Sequence, residues 1–208
     1  TEVGDLNLGR GYFGGAGASN ALALGFGGDV PGTPARAQTE SWNGSSWTEV
    51  NDLNTARYGP HYGGIGTYID TLCVGGYTEQ AVVEQWNGSS WTEVADIATG
   101  RENCSAAGSN TNGAIMAGGS TSTTAQLATA QEWNNAVAVG AWSTGTAVNT
   151  GRSDGAGAGT STSSLFFGGG PYPNSALTES WNGTSWTEVN DLNQGRAVLC
   201  GAGVSNTS

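Results

Sequence analysis

A sixteen-residue segment recurs along this chain, and no other feature of the sequence restricts the fold as strongly. It occupies residues 40–55, is almost identical at 179–194, and returns with small changes at 84–99. A degraded copy contains Trp133 and Trp142. Repetition at a fixed interval means that one supersecondary unit is used several times. The copies contain all 8 tryptophans, two in each: Trp42 and Trp47, Trp86 and Trp91, Trp133 and Trp142, Trp181 and Trp186.

An arginine opens each repeat, and the intervals between successive arginines are 47, 44, 51 and 44 residues. In a full unit the arginine is followed by a Gly/Ala-rich stretch, an apolar run ending in Gly-Gly, a variable loop, Glu-x-Trp, Asn-Gly and Trp-Thr-Glu-Val. A period in the forties with four short apolar stretches predicts one four-stranded propeller blade per repeat. The arginines are Arg10, Arg57, Arg101, Arg152 and Arg196.

Each stretch predicts a strand for a local reason. Asn-Gly between apolar residues indicates a hairpin, because both residues tolerate positive φ. The Trp-Thr-Glu-Val segment alternates apolar and polar residues, as a half-buried strand does. Continuous apolar runs such as 72–74 suit a strand that is covered on both faces. Glycine weakens a strand, so we expect the Gly/Ala-rich stretches where innermost strands crowd around an axis. No helical periodicity appears, and the predicted fold is all-β.

The repeats divide the chain into approximate units 1–47, 48–91, 92–142 and 143–186, with a partial unit 187–208. The five arginines accompany only four Gly-Gly runs and four tryptophan pairs. We therefore expect four complete four-stranded blades and part of a fifth. A ring of four with a spare strand is one arrangement. The favoured one is a larger ring completed by material beyond the two ends, with a partner or a gap beside 197–204.

Composition excludes several classes of partner. The net charge is -11 and lysine is absent, so phosphate backbones repel the chain and nucleic acid is not an expected partner. No apolar run has the ~20 residues needed to cross a bilayer, so no membrane insertion is expected. Cys73, Cys104 and Cys200 match no metal-binding spacing. We expect small buried thiols, with a disulfide as the alternative.

Four features in fixed order resemble the kelch repeat of β-propellers: the arginine, the apolar run with Gly-Gly, the Glu-x-aromatic segment and the later Trp. The resemblance implies that Gly-Gly follows the second strand, that the first Trp takes the usual Tyr position on the third strand, and that the second Trp lies on the fourth. The third unit departs from it, with four extra residues between its tryptophans. The segment Glu-Ser-Trp-Asn-Gly-Ser-Ser-Trp-Thr also resembles kelch-type repeats of virion structural proteins from marine phages.

Charged residues recur with the blades. A glutamate precedes the first Trp of each unit, and the sequence aligns Glu40, Glu84, Glu132 and Glu179 at this place. A group needed once per blade is structural, so we expect each repeat arginine to meet a repeat carboxylate between blades. A shared anion site built from the arginines is the alternative. The eight tryptophans are expected to be buried within and between blades.

Enzymatic chemistry lacks its usual residues. His61 is the single histidine, so the chain holds no multi-histidine metal centre, and the copper ligands of galactose-oxidase-like propellers cannot be supplied. A Ser-His-Asp triad would have to use His61, and nothing near it resembles a nucleophile elbow. We expect no enzymatic activity and no cofactor.

Function is then expected in the variable loops, because loops on a rigid scaffold carry binding residues. Arg36, Tyr77 and Tyr172 are the candidate ligand-binding residues, and ordinary solvated loops are the alternative. We expect a non-enzymatic extracellular binding or structural propeller, with a virion appendage or host-attachment module favoured. Its partners would be a protein or surface glycan and other chains of the same assembly. A secreted lectin-like or scaffolding propeller of a cellular organism is the alternative.

Overall fold

The computed structural model of the chain describes residues 3–62, 65–78, 80–121, 125–135, 140–171 and 173–203. These residues form nineteen strands and no helix. The described residues accordingly contain no helix that is long and apolar enough to cross a membrane. The fold is all-β, as the repeat predicts.

Each of four repeats forms one antiparallel sheet whose strands are paired in chain order. The first blade comprises β1 (Gly14–Ser19), β2 (Leu22–Phe26), β3 (Thr39–Trp42) and β4 (Trp47–Val50). The second comprises β6 (Gly66–Thr67), β7 (Asp70–Val74), β8 (Val83–Trp86) and β9 (Trp91–Val94). The short strand β5 (His61–Tyr62) precedes it and pairs in parallel with the innermost strand of the third blade, as the fifth strand of that sheet.

The third blade comprises β10 (Cys104–Asn110), β11 (Gly113–Ala117), β14 (Ala130–Asn134) and β15 (Ala141–Gly145). A separate two-stranded sheet, β12 (Ser120–Thr121) and β13 (Ala125–Gln126), lies in its variable loop. The fourth blade comprises β16 (Ala156–Thr160), β17 (Ser163–Phe167), β18 (Thr178–Trp181) and β19 (Trp186–Glu188). In every blade the outermost strand begins at, or one residue before, the second tryptophan.

The cores lie between blades rather than within them. One cluster joins Leu24 and Phe26 of the first blade to Trp86 and Trp91 of the second. A second cluster joins the second blade to the third, and a third joins the third blade to the fourth. Each sheet therefore packs its apolar side chains against the next sheet, which removes them from water and stabilises the stack.

Small residues line the inner strands because backbones approach closely there. A Cβ on Gly157 in β16 would collide with the backbone of Ala106 in β10. The crowding expected at the innermost strands is thus present. The Gly-Gly pairs have a second reason: Gly27 and Gly28 have φ of 69° and 100°, and a Cβ on Gly27 would lie 2.6 Å from the Arg57 carbonyl oxygen.

The Asn-Gly turn differs from the prediction in its mechanism. Gly44 has φ of 93°, but Asn43 does not adopt positive φ. Instead the Asn43 Oδ1 accepts hydrogen bonds from the backbone N–H groups of Ser45 and Ser46, both at 3.0 Å. Asn87 and Asn182 do the same in their blades. Asparagine is therefore used for its side-chain oxygen, as in an Asx turn.

A chain of backbone hydrogen bonds links the blades where each inner strand begins. The residue two positions after each repeat arginine has a left-handed backbone, with φ between 48° and 58°. At the last four of these positions the N–H donates to the carbonyl of the equivalent residue in the preceding unit, over 2.8–3.1 Å. In chain order the residues are Tyr12, Gly59, Asn103, Asp154 and Val198.

The partial fifth blade forms no strand among the described residues after Glu188. The backbone of 192–203 nevertheless lies against the fourth blade: Leu192 N–H donates to the Ala176 carbonyl, and a Cβ on Gly201 would collide with Gly157. This segment occupies the same place that Leu53 and Arg57 occupy beside the first blade.

Candidate binding surface on the loop face

The loops between the second and third strands of the four blades lie on one side of the molecule, which we call the loop face. Each loop is tied to the start of the next repeat. Gly28 N–H donates to the Arg57 carbonyl, and Gly76 N–H donates to the Arg101 carbonyl, over 2.9 and 3.0 Å. The residues that follow the repeat arginines therefore lie among these loops.

A stacked tyrosine pair is the main aromatic feature of this face. Tyr77, from the β7–β8 loop, stacks on Tyr58 with ring centroids 4.5 Å apart and 24° between the planes. Its backbone N–H donates to the Tyr58 carbonyl, and 45% of Tyr77 remains exposed. The pKa of Tyr58 is raised to about 12, mainly by partial burial. Its hydrogen bond with Tyr77 and the negative charges of Asp29 and Glu102 raise the pKa further. Tyr58 is therefore neutral over the physiological pH range.

A polar cleft of about 500 Å³ opens on the same face, between the third and fourth blades. Residues from five separate segments line it, including the tail after Arg196. Its polar groups are carboxylates, hydroxyls and side-chain amides, which suit a ligand rich in hydroxyl groups. They are Glu102, Ser120, Thr121, Gln126, Ser153, Asp154 and Asn174.

The cleft carries negative charge. Glu102 and Asp154 line it, and no arginine is among its lining residues. The Asp154 Oδ2 accepts a hydrogen bond of 2.7 Å from the Ser153 hydroxyl, which fixes that carboxylate. Asn103 N–H donates to the Gly59 carbonyl over 3.1 Å. Glu102 and Tyr58 are the residues directly before these two, so the cleft and the tyrosine pair are neighbours on one surface. Such a surface disfavours anionic ligands.

The three candidate ligand-binding residues, Arg36, Tyr77 and Tyr172, differ in how the structure places them. Tyr77 belongs to the exposed pair described above. Arg36 is only half-buried, its N–H donates to the Gly28 carbonyl, and its carbonyl accepts from Arg57 N–H. Tyr172 lies outside the described residues, and so does the side chain of His61.

Three of the repeat arginines form buried ion pairs, each with the glutamate on the third strand of the blade that follows the arginine. Arg10 Nη2 lies 3.2 Å from Glu40 Oε1, and Arg152 Nη1 lies 2.8 Å from Glu179 Oε1. Arg57 pairs with Glu84 in the same way. Burial lowers the pKa values of Arg10 and Arg152, while their glutamates oppose this. These side chains are withdrawn from solvent and are not open to an external anion.

Arg101 departs from the rule, and the alignment of Glu132 with the other glutamates is wrong. Gln131 pairs with Met116 of the second strand, as Glu40 pairs with Gly25 in the first blade. Gln131, and not Glu132, therefore stands at the position of the other glutamates. Arg101 is fully buried and donates to the carbonyl oxygens of Gly118 and Thr129 and to the Thr129 hydroxyl. Arg196 departs as well: it is exposed and forms no ion pair within the described part of the chain.

An asparagine completes each ion pair. Asn54 donates its backbone N–H and its side-chain amide to Glu84 Oε2, over 2.7 and 2.8 Å, and its amide also reaches the Trp91 carbonyl. We call Asn54 with Arg57, and the equivalent pairs in other units, the Asn–Arg clasp. Asn7 and Asn149 make the same contacts with Glu40 and Glu179.

Six of the eight tryptophans are buried, with exposures of 1–8%, while Trp47 and Trp142 are half-buried. In each blade the two indole rings meet with centroids 5.1–5.5 Å apart. The first Trp donates its indole N–H to its own blade, as Trp86 does to the Tyr68 carbonyl. The second can reach the preceding blade: Trp91 donates to the Thr39 hydroxyl over 3.0 Å.

The cysteines are free thiols, and only two of them match the burial expected. Cys73 and Cys104 are fully buried, whereas Cys200 is exposed because the tail that carries it lies at the surface. Within the described ranges no group of three or more His, Cys, Asp or Glu side chains could hold a metal ion.

Comparison with known proteins identifies the architecture. The chain is similar to the solved structure of YjhT, with a TM-score of 0.77 and 12% identity over 93% of this chain and 74% of that one. The chain folds as a β-propeller with four blades. No family model and no curated protein matches the sequence.

Sequence reasoning missed Tyr58, Glu102 and Asp154 as members of the loop face. They follow the repeat arginines by one or two positions, where the residue type changes from unit to unit while the arginine itself does not. The available signal was the change of residue type at a fixed position of the repeat. Such a change indicates a side chain that the packing of the blades does not require.

Proposed function

We propose that the chain is a kelch-type propeller that binds a neutral surface glycan on its loop face without chemically altering it. The adjacency of the exposed Tyr58–Tyr77 pair and the acidic polar cleft carries this proposal. An aromatic face packs against the apolar face of a sugar ring, and carboxylates and amides accept and donate hydrogen bonds to its hydroxyl groups.

Charge narrows the class of glycan. Glu102 and Asp154 repel carboxylate, sulfate and phosphate groups, and no arginine is among the residues that line the cleft. The ligand is therefore a neutral or amino sugar rather than a sialylated or sulfated one. The composition, which lacks lysine and is rich in Gly, Ser and Thr, supports an extracellular setting, and so does the sequence of the repeat. Among extracellular proteins we favour a virion appendage that touches a host surface.

Paired oligosaccharides test the proposal. Neutral glycans and their sialylated counterparts are titrated into the chain by calorimetry. The neutral member should bind more tightly, and Tyr77→Ala should weaken it by about tenfold, since one stacked aromatic contributes ~1.4 kcal/mol. Tyr77→Phe keeps the ring and should retain binding.

Asp154→Asn removes charge from the cleft, and Glu93→Gln removes a charge from the exposed outermost strand as a matched control. Only the first should change the preference between neutral and sialylated ligands. Equal binding by Tyr77→Ala and the unchanged chain would exclude this surface. Cleavage or rearrangement of the glycan, followed by NMR, would contradict the non-enzymatic assignment.

A further inference from the structure

The fourth blade presents a second copy of the surface that the first blade uses to hold the second. The strand registers agree, since Leu24 lies opposite Ser41 and Leu165 lies opposite Ser180. The six matching positions in the first and fourth blades are Leu24 and Leu165, Phe26 and Phe167, Thr39 and Thr178, Leu53 and Leu192, Asn54 and Asn193, and Arg57 and Arg196.

Burial separates the two copies. In the first blade Leu24, Phe26 and Arg57 are 2%, 0% and 0% exposed, because the second blade covers them. In the fourth blade Leu165 and Phe167 are only half-buried, and Arg196 is exposed. The same side chains that form an interblade core in one place thus stand uncovered in the other. We call this uncovered surface the open face.

A buried hydroxyl on the open face also lacks its partner. Thr39 accepts the indole N–H of Trp91 from the following blade. Thr178, its equivalent, is 6% exposed, and its Oγ1 makes no hydrogen bond within the described residues. An unpaired buried hydroxyl is unfavourable, so an incoming donor at this place gains a hydrogen bond and removes that cost.

The backbone of the last Asn–Arg clasp is already in position. Gly169 N–H donates to the Arg196 carbonyl over 2.7 Å, as Gly28 N–H does to Arg57, and Arg196 N–H donates to the Ser175 carbonyl. The clasp is therefore held against the fourth blade before any carboxylate arrives. Such preorganisation reduces the entropy lost on binding.

We propose that the open face binds one further blade of the same repeat type. That blade is recognised by a glutamate two residues before a tryptophan on its third strand, which enters the clasp of Asn193 and Arg196. A second tryptophan on its fourth strand packs on Phe167 and donates to Thr178. A second copy of this chain lacks a free strand of this kind, because its glutamates at positions 40, 84 and 179 already occupy their own clasps.

The second unit supplies the best probe, because it already fits the equivalent face of the first blade. A copy of residues 70–94 is joined to Ser208 of the full chain through a Gly/Ser linker, which gives a millimolar effective concentration. Leucine methyl NMR signals of Leu165 and Leu192 should then shift. The free peptide 70–94, titrated to about 1 mM, should shift the same signals.

Arg196→Glu is the decisive variant, since Arg196 is exposed and its replacement leaves the other blades untouched. In the tethered chain it should abolish the methyl shifts, because two carboxylates would meet in the clasp. Changing the glutamate of the probe to lysine should do the same. Tethered chains whose methyl signals stay unshifted, or shift equally with Arg196→Glu, would overturn the proposal. Sedimentation of the unmodified chain as a dimer that Phe167→Ala dissociates would assign the face to a second copy instead.

Discussion

The buried arginines of this protein are neutralised in two different ways, and the difference sets what each residue tolerates. Arg57 and Arg152 each face a buried glutamate, whereas Arg101 is satisfied by two carbonyl oxygens and a hydroxyl while Gln131 takes the glutamate position. Burying a charge is costly unless it is paired or fully hydrogen-bonded. The third blade shows that the glutamate can be replaced by its amide.

Glu84→Ala and Glu84→Gln should therefore differ. The alanine variant leaves Arg57 and Asn54 without their shared acceptor and should lose about 3–5 kcal/mol of unfolding free energy. The glutamine variant keeps an acceptor oxygen, as Gln131 does toward Ala98 N–H, and should lose about 1–2 kcal/mol. Urea denaturation measures both. Equal losses would mean that the charge pair, and not the hydrogen-bond acceptor, holds the interface.

The buried thiols make stability fall at alkaline pH. Burial raises the pKa of Cys73 to about 11 and that of Cys104 to about 12, while unfolded thiols titrate near about 8.5. Above that pH the unfolded chain releases protons that the folded chain keeps, so the free energy of unfolding decreases as pH rises, by up to about 1.4 kcal/mol per pH unit for each thiol. Cys73→Ala should reduce this slope between pH 8.5 and 10. Cys200→Ala, at an exposed thiol, should leave it unchanged.

At the scale of elements, each blade depends on one short turn between its tryptophans. Asn87 Oδ1 holds that turn through the N–H groups of Ser89 and Ser90, and Gly88 has φ of 92°. The turn brings Trp86 and Trp91 together at 5.4 Å, and both rings enter the core shared with the first blade. The turn therefore positions an interblade contact as well as a hairpin.

Asn87→Ala should cost about 1–2 kcal/mol, since two backbone donors lose their acceptor. Asn87→Asp retains an oxygen in the same place and should be close to neutral. Gly88→Ala should cost about 1–2 kcal/mol because a Cβ disfavours the left-handed backbone. Thermal unfolding of the three variants separates these effects. A loss as large for Asn87→Asp as for Asn87→Ala would show that the oxygen is not what the turn requires.

The strands and their order could be predicted from sequence because each one carries its own local pattern and the pattern repeats. The loop face could not, since the cleft gathers Glu102, Gln126 and Asp154 from separate units and depends on how the blades are placed. The position of Gln131 was missed although the spacing indicated it: Gln131, like Glu40 and Glu84, lies two residues before its tryptophan, and the strand pairing agrees.

The whole molecule is a series of blades held by three interblade cores, so stability should be transmitted from neighbour to neighbour. Trp91 is central to the first of these cores. It is 5% exposed, its ring lies edge-on to Phe26 at 5.0 Å, and it donates to Thr39. Trp47 is the equivalent residue of the first blade, and it is only half-buried.

Trp91→Ala should therefore cost about 3–5 kcal/mol and should act locally. Loss of the indole opens the interface between the first and second blades, so amide hydrogen exchange should accelerate most in β1–β4 and much less in β16–β19. Trp186→Ala, in the core between the third and fourth blades, is the matched variant and should give the reverse pattern. Trp47→Ala should cost less than either, since it removes a half-exposed ring. Uniform acceleration across all four blades in both buried variants would show that the propeller unfolds as one cooperative unit rather than blade by blade.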